Sequence, residues 1–312
     1  MAAGTAMLRT PDAAFDGLPG WPYAPHWAQP LAQGSDAGPR MHYIDEGPRD
    51  APATVLCLHG NPSWSYLWRH MLPVFVQAGL RVVAPDMIGF GRSDKPADGG
   101  WHQFDRHRQS LLNFIEALDL RNVMLACQDW GGIFGLTLPM AMPERFTRLL
   151  VMNTLLAKGE VNEGFRQWRA YSNSQPDLPV GKLLRRGKPS MSEAEAAAYD
   201  APFPDASYKA ALRAFPDLVP DGADAPGAAI SREASGFWRE RWTGQAFMAI
   251  GMQDPVLGEA AMLALHAQLR GCAPPVRVAE GGHFLQEWGD PVARAALAQF
   301  GLLPAQAGQA AK

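Results

Sequence analysis

Apolar positions along this chain follow two different periods. From Met41 onward, short apolar runs alternate with longer stretches in which apolar residues recur at helical spacing. The short runs predict strands at Met41–Asp45, Thr54–Leu58, Arg81–Ala84, Val123–Ala126, Arg148–Met152, Gln245–Ile250 and Val276–Ala279. Thr54–Leu58 reads as a continuous run, which suits a strand buried on both faces of a parallel sheet. The longer stretches predict helices at Tyr66–Gln77, Phe104–Leu118, Ile133–Met142, Leu257–Leu269 and Pro291–Phe300, with Pro291 fitting a first helical turn. Strands alternating with helices imply the α/β class, with a mostly parallel sheet covered by helices on both faces.

Two regions break this alternation. Residues 1–40 are rich in proline and glycine (Pro19, Gly20, Pro22, Pro25, Pro30) and read as a partly ordered arm that wraps the core. Residues 154–242 show no convincing buried strand. Ser190-Met191-Ser192-Glu193 resembles a capping box that opens a short helix through Tyr199, ended by Pro202 and Pro204, and Tyr208–Phe215 reads as another helix. The expected division is an arm at 1–40, a sheet core at 41–153 and 243–303, an inserted helical cap at 154–242, and a frayed tail at 304–312.

Composition narrows the function classes. With 312 residues, the chain is long enough for one large core and an insertion. A net charge of −3 gives no electrostatic case for a nucleic-acid or membrane partner. No apolar stretch is long enough to span a bilayer, and the first ten residues lack the order of a secretory signal. Cys57, Cys127 and Cys272 lack metal-type spacing and fit a reducing cytoplasm. A cytoplasmic monomer is the expectation.

The chemistry centres on Asp129. The run Val123-Met124-Leu125-Ala126-Cys127-Gln128-Asp129-Trp130-Gly131-Gly132 is an apolar strand, a tight turn and a helix start. That is the form of a nucleophile elbow, with small residues on either side of an exposed tip. At the tip a carboxylate stands where a serine would be expected. A carboxylate attacks without a general base, and it suits displacement at a saturated carbon to give an enzyme-linked ester. Taken alone, Asp129 also reads as an ordinary helix N-cap.

Such an ester needs a base to activate water. His283, in Glu280-Gly281-Gly282-His283-Phe284 after the last predicted strand, is placed for this better than His59 or His266. An imidazole base needs an acid to fix its tautomer. Asp254, in Gly251-Met252-Gln253-Asp254-Pro255, follows a strand and fills that role, though an Asp-Pro turn is the plain alternative. The order Asp129, Asp254, His283 is that of the α/β-hydrolase triad. The backbone N–H groups of Trp130 and of Asn61, in His59-Gly60-Asn61-Pro62, are the expected oxyanion donors.

Four runs carry a family resemblance that extends over nearly the whole chain. They are His59-Gly60-Asn61-Pro62-Ser63-Trp64-Ser65-Tyr66-Leu67-Trp68-Arg69, Asp86-Met87-Ile88-Gly89-Phe90-Gly91-Arg92-Ser93-Asp94-Lys95-Pro96, Gln128-Asp129-Trp130-Gly131-Gly132 and Gly282-His283-Phe284-Leu285-Gln286-Glu287. With them the chain resembles haloalkane dehalogenases, in the subfamily whose acid follows the later strand. The place used by the other main subfamily holds Asn153 and Thr154. The resemblance implies an α/β-hydrolase fold, no metal or organic cofactor, and small halogenated alkanes, water and halide as the only partners. It implies a halide site of two indole N–H donors, Trp130 and Trp168, with the Asn61 side chain assisting. Spacing alone would put Trp168 with Phe165 on an apolar cap face. Ile133, Phe165, Phe203, Leu218 and Val219 are expected to line the substrate pocket, Ile133 leaving it roomier than a ring would. Short chloro- and bromoalkanes are the expected substrates, with fluorides resistant.

Epoxide hydrolase is the rival within the same fold. It shares the Asp nucleophile and needs cap tyrosines, for which Tyr171, Tyr199 and Tyr208 are candidates; Gln128 before the nucleophile and Trp168 favour the dehalogenase. Trp130 beside the nucleophile disfavours a fluoroacetate-type dehalogenase, which would want Arg there. Ser93 lacks the second glycine of a serine elbow, and Gly89-Phe90-Gly91 lacks the third glycine of a nucleotide loop. A hydrolase-fold binding protein without activity is the non-enzyme reading.

Overall fold

The computed structural model describes residues 6–34 and 37–303; the tail expected at 304–312 lies outside them. Among the described residues there are ten strands: β1 (Met7–Leu8), β2 (His26–Ala28), β3 (Met41–Glu46), β4 (Thr54–Leu58), β5 (Arg81–Pro85), β6 (Lys95–Pro96), β7 (Val123–Gln128), β8 (Phe146–Met152), β9 (Gln245–Gly251) and β10 (Val276–Val278). Eight form one sheet in the order β10-β9-β8-β7-β4-β5-β3-β2. From β10 to β5 every pair is parallel, and β3 and β2 complete the sheet antiparallel. The central strands β4 and β7 are buried at every position, as sequences apolar on both faces require. β1 and β6 pair separately.

The helices are α1 (Leu72–Gln77), α2 (Phe104–Ala117), α3 (Trp130–Gly135), α4 (Glu163–Asn173), α5 (Val180–Gly187), α6 (Glu193–Asp200), α7 (Ala210–Leu218), α8 (Ala228–Glu240), α9 (Glu259–His266) and α10 (Gly289–Gln299). Helices α4 to α8 all fall between β8 and β9, with no strand among them. This is an α/β-hydrolase fold.

Several elements differ from the sequence expectation. The helix expected at Tyr66–Gln77 is two pieces, a 3-10 turn at Ser65–Trp68 and then α1. Pro73 can begin a helix but cannot continue one. The helix expected at Ile133–Met142 starts at Trp130 and stops at Gly135, because Pro139 has no N–H to give the Gly135 carbonyl. The capping box is formed by Ser192 and Glu195, not by Ser190 and Glu193; both pairs fit the same spacing. The strand β2 in the arm carried no alternating signal; it exists because β3 offers it a free edge.

The arm is held at several points. Thr10 Oγ1 donates to the Pro202 carbonyl (2.6 Å), Tyr66 Oη donates to the Pro19 carbonyl (2.8 Å), and Trp21 packs edge-on against Trp64 and Tyr66. A second tie joins the sheet core to the α5–α6 region. Arg69 makes two bonds to the buried Glu287 (2.6 and 2.8 Å) and reaches Glu195 (3.1 Å) and the Tyr199 hydroxyl (3.0 Å). Tyr199 also donates to Glu287. Removing one side of a buried ion pair leaves the other desolvated and short of partners. Arg69→Met is therefore expected to lower unfolding free energy by about 3 kcal/mol or more. Urea unfolding of the variant beside the native protein measures this.

Candidate active site

The carboxyl ends of neighbouring strands lie level. Leu58 on β4 pairs with Cys127 on β7, Gln128 with Met152 on β8, Met152 with Ala249 on β9, and Gly251 with Val278 on β10. The loops that follow therefore bring Asn61, Asp129, Asn153, Asp254 and His283 together at one sheet edge. Parallel α/β sheets place ligands at this edge.

Asp129 sits at φ +50° and ψ −125°, a conformation that L-residues avoid. Four backbone-directed bonds hold it. Its N–H donates to the Asn153 carbonyl (3.0 Å), and its carbonyl accepts from the N–H groups of Gly132 and Ile133 (2.9 Å each) and from Thr154 Oγ1 (2.7 Å). Gly131 is required by the close approach of β4: a Cβ there would collide with the Leu58 carbonyl. Asp129 does lie at the N-cap of α3, but its side chain accepts no capping bond from that helix. Its Oδ1 accepts instead from the Asn61 N–H (2.8 Å).

His283 stands between two carboxylates. Its Nδ1 is 2.7 Å from Asp254 Oδ2, and its Nε2 is 3.5 Å from Asp129 Oδ2. Burial alone would lower the imidazole pKa, but the charges and hydrogen bonds of Asp254 and Asp129 push it up to about 10. Asp254 is fixed on both oxygens. Oδ1 accepts from the N–H groups of Val256 (2.8 Å) and Leu257 (3.0 Å), and Oδ2 also accepts from Asn153 Nδ2 (3.0 Å). Burial opposes its charge, yet the His283 charge and these bonds hold its pKa below the ordinary carboxylate range. His59, the passed-over histidine, is buried and accepts from the Met87 N–H (3.0 Å). His266 is spent on the Ala273 carbonyl (3.0 Å).

A cavity of about 360 Å³ opens on this cluster. Asn61, Asp129, Trp130, Asp254 and His283 line it, as do Trp168 and Phe165 from α4. Of the other expected lining residues, Ile133 and Val219 face it, while Phe203 and Leu218 do not. Phe203 lies 6.0 Å from Lys95 Nζ, in a loop turned toward the arm through the Pro202 carbonyl. Leu218 stands about 200° around α7 from the cavity-lining Pro216, so it packs away from the space. Tyr171, Tyr199 and Tyr208 do not line the cavity, so the tyrosine pair that an epoxide hydrolase needs is not offered there.

The indole N–H groups of Trp130 and Trp168 have no hydrogen-bond partner among the described residues, and neither is a buried orphan like those of Trp68 and Trp242. The Trp130 ring is wedged between Phe134 (4.9 Å) and Phe215 (4.8 Å). Asn61 Oδ1 is buried without a partner. Sequence reasoning missed Asn153, which braces both the turn at Asp129 and Asp254, and it missed Leu183, Lys188, Phe284 and Trp288 on the cavity wall. The Asn153 signal was its position at a strand end, and that of Phe284 its place directly after His283; Leu183 and Lys188 had none, because their placement depends on how the helices after β8 fold back, and Trp288 is placed only by the 3-10 turn Leu285–Trp288.

The His283 geometry has a consequence for stability. Its folded pKa of about 10 lies above the ordinary 6.5, so the stabilisation from protonated His283 is full below about pH 6.5 and is lost as pH rises toward 10. Replacing Asp254 with Asn removes the largest charge that raises the imidazole. Asp254→Asn is expected to flatten the fall in unfolding free energy between about pH 6.5 and pH 10. Denaturant titrations of the two proteins across that range test this; parallel curves would count against it.

Comparisons with known proteins agree with the geometry. The family model for the α/β hydrolase fold matches residues 53–290. A haloalkane dehalogenase of Psychrobacter cryohalolentis is 43% identical over 94% of this chain and 97% of its own length. One from Mycobacterium marinum is 42% identical over 91% and 96%. Among solved structures, the haloalkane dehalogenase DpaA of Paraglaciecola agarilytica NO2, described as tetrameric, aligns with a TM-score of 0.92 at 48% identity, covering 95% of this chain and 99% of that one. Identity at this level over the full length, joined to a carboxylate at the elbow tip, makes this chain a member of the haloalkane dehalogenase family of α/β hydrolases, enzymes that hydrolyse carbon–halogen bonds.

Proposed function

We propose that the reaction runs through a covalent ester on Asp129. The observation that carries this reading is the unprotected carboxylate at the elbow, facing an apolar cavity and 3.5 Å from an imidazole. In the first step Asp129 attacks an sp³ carbon and the carbon–halogen bond breaks, releasing halide. Trp130 and Trp168 donate their N–H groups to the departing ion. Indole is a donor without acceptor capacity, so it favours an anion. Halide gains charge as the bond breaks, so fixed donors in a dry site lower the barrier selectively. The Asn61 side chain, which belongs to the cavity lining, adds a third donor through its Nδ2.

In the second step His283 takes a proton from water, whose oxygen adds to the Asp129 carboxyl carbon. The resulting oxyanion rests on the N–H groups of Asn61 and Trp130, and Asp254 balances the imidazolium. Collapse expels the alkoxide, which takes the proton from His283. The sum is alkyl halide and water giving alcohol, halide and a proton.

Helices α4 to α8 act in this scheme as a cap that closes the cavity over the sheet edge, flanked by core segments 41–153 and 243–303. The cavity volume suits short chloro- and bromoalkanes, with Ile133, Phe165 and Val219 as apolar walls. Every residue in the scheme comes from one chain, so a monomer would suffice, although the Paraglaciecola relative is described as a tetramer. Three unpaired cysteines fit a cytoplasmic site of action.

His283→Phe incubated with 1,2-dibromoethane is expected to accumulate a stable alkyl adduct on the peptide that contains Asp129, read by intact mass and peptide mapping. Unmodified protein that still binds substrate would sink the covalent step. Asp129→Ala is expected to release no halide. Trp168→Phe is expected to slow carbon–halogen cleavage about 10²-fold and weaken bromide binding. Unchanged kinetics would return Trp168 to a packing role.

A further inference from the structure

Two buried glutamines flank the triad and have no part in the two steps above. Gln128 precedes Asp129 at the end of β7, and Gln286 follows His283 in the 3-10 turn Leu285–Trp288; neither side chain reaches solvent. Gln128 Nε2 lies 3.0 Å from the main-chain oxygen of His283 and 3.1 Å from its ring Nε2. Gln128 Oε1 lies 3.5 Å from Gln286 Nε2, which donates to it.

The main-chain oxygen fixes which way the amide points. A carbonyl can only accept, so Gln128 must turn its NH2 group toward His283. The other N–H of that group then meets the imidazole Nε2, which can receive it only as a lone pair. A protonated Nε2 would set two donors against each other.

The charged groups that face the ring pull the other way. Asp254, from the end of β9, touches Nδ1, and Asp129 stands 3.5 Å from Nε2; Lys188, just past the end of α5, and Glu287 line the same cavity. In the free enzyme the two carboxylates together favour the cation. Alkylation changes this balance, because an ester carries no charge. We propose that Gln128 is a positioning residue that tips His283 into its neutral, Nδ1-protonated form once Asp129 is esterified. The proton leaves Nε2 for solvent, and the base becomes available at the stage that needs it. When water takes over the lone pair, the amide keeps its bond to the main-chain oxygen and holds the ring in place. This inference rests on the covalent reading above.

The test separates the two. Gln128→Met keeps the length and removes the donor; Gln128→Glu places an acceptor there. Each variant is mixed rapidly with 1,2-dibromoethane, and decay of the Asp129 adduct is followed by quenching and intact mass from about pH 5 to about pH 10. The rising limb of the decay rate is expected to move up by about one pH unit in Gln128→Met and further in Gln128→Glu. A limb that stays in place, or moves down, in an adduct-forming variant overturns the proposal. Absence of any adduct in the native protein as well would instead remove the covalent reading. A second measurement covers variants that do not fold. In Asp129→Asn, whose carboxamide mimics the uncharged ester, 15N spectra of His283 are expected to show Nε2 without a proton at about pH 7. A proton on both ring nitrogens there overturns the proposal.

Discussion

The backbone of Asp129 is the constraint on which the site depends. A non-glycine residue at φ +50° costs on the order of 1–3 kcal/mol and persists only where its surroundings leave no alternative. Here the surroundings are specific. β8 supplies an acceptor for the Asp129 N–H through the Asn153 carbonyl, and Thr154 and the first turn of α3 engage the Asp129 carbonyl. The bend turns the carboxylate out of the sheet and against the Asn61 N–H. A relaxed backbone would point the same side chain elsewhere.

Asn153 links this strained turn to the acid. Its main chain holds Asp129, while its side chain binds Asp254 Oδ2 and both the carbonyl and the N–H of Gly251. One neutral side chain thus braces the ends of β8 and β9. A carboxylate at the same place would face Asp254 at hydrogen-bond distance and repel it. The position is therefore consistent with one acid only, and that acid is at Asp254.

Charge around His283 is balanced rather than simply favourable. Two carboxylates flank the imidazole, which suits a resting cation, whereas a base must be neutral. Chemistry that consumes one of the two charges resolves the conflict, and an ester on Asp129 is such chemistry. The apolar wall of Ile133, Phe165 and Val219 makes each remaining charge count for more by excluding water. The Arg69–Glu287 pair, with Glu195 and Tyr199, ties the helices after β8 to the segment that follows His283.

The meeting of Asp129, Asp254 and His283 was legible from sequence because each sits just past a strand, and a buried parallel strand announces itself by a continuous apolar run. Asp129, Asp254 and His283 needed only strand order and the convergence of carboxyl ends to be brought together. The break in alternation after Met152 likewise marked the helical insertion. Cavity walls were not legible in that way. Phe203 and Leu218 are as apolar as Phe165 and Val219, and only helix rotation and loop direction separate them. The Gln128 contact with the His283 main chain and the Asn153 brace join residues far apart in sequence through single hydrogen bonds. Periodicity encodes which face of an element is buried; which partner a polar group meets there is decided when the elements pack, because hydrogen bonds act over ångströms and carry no repeating signature along the chain.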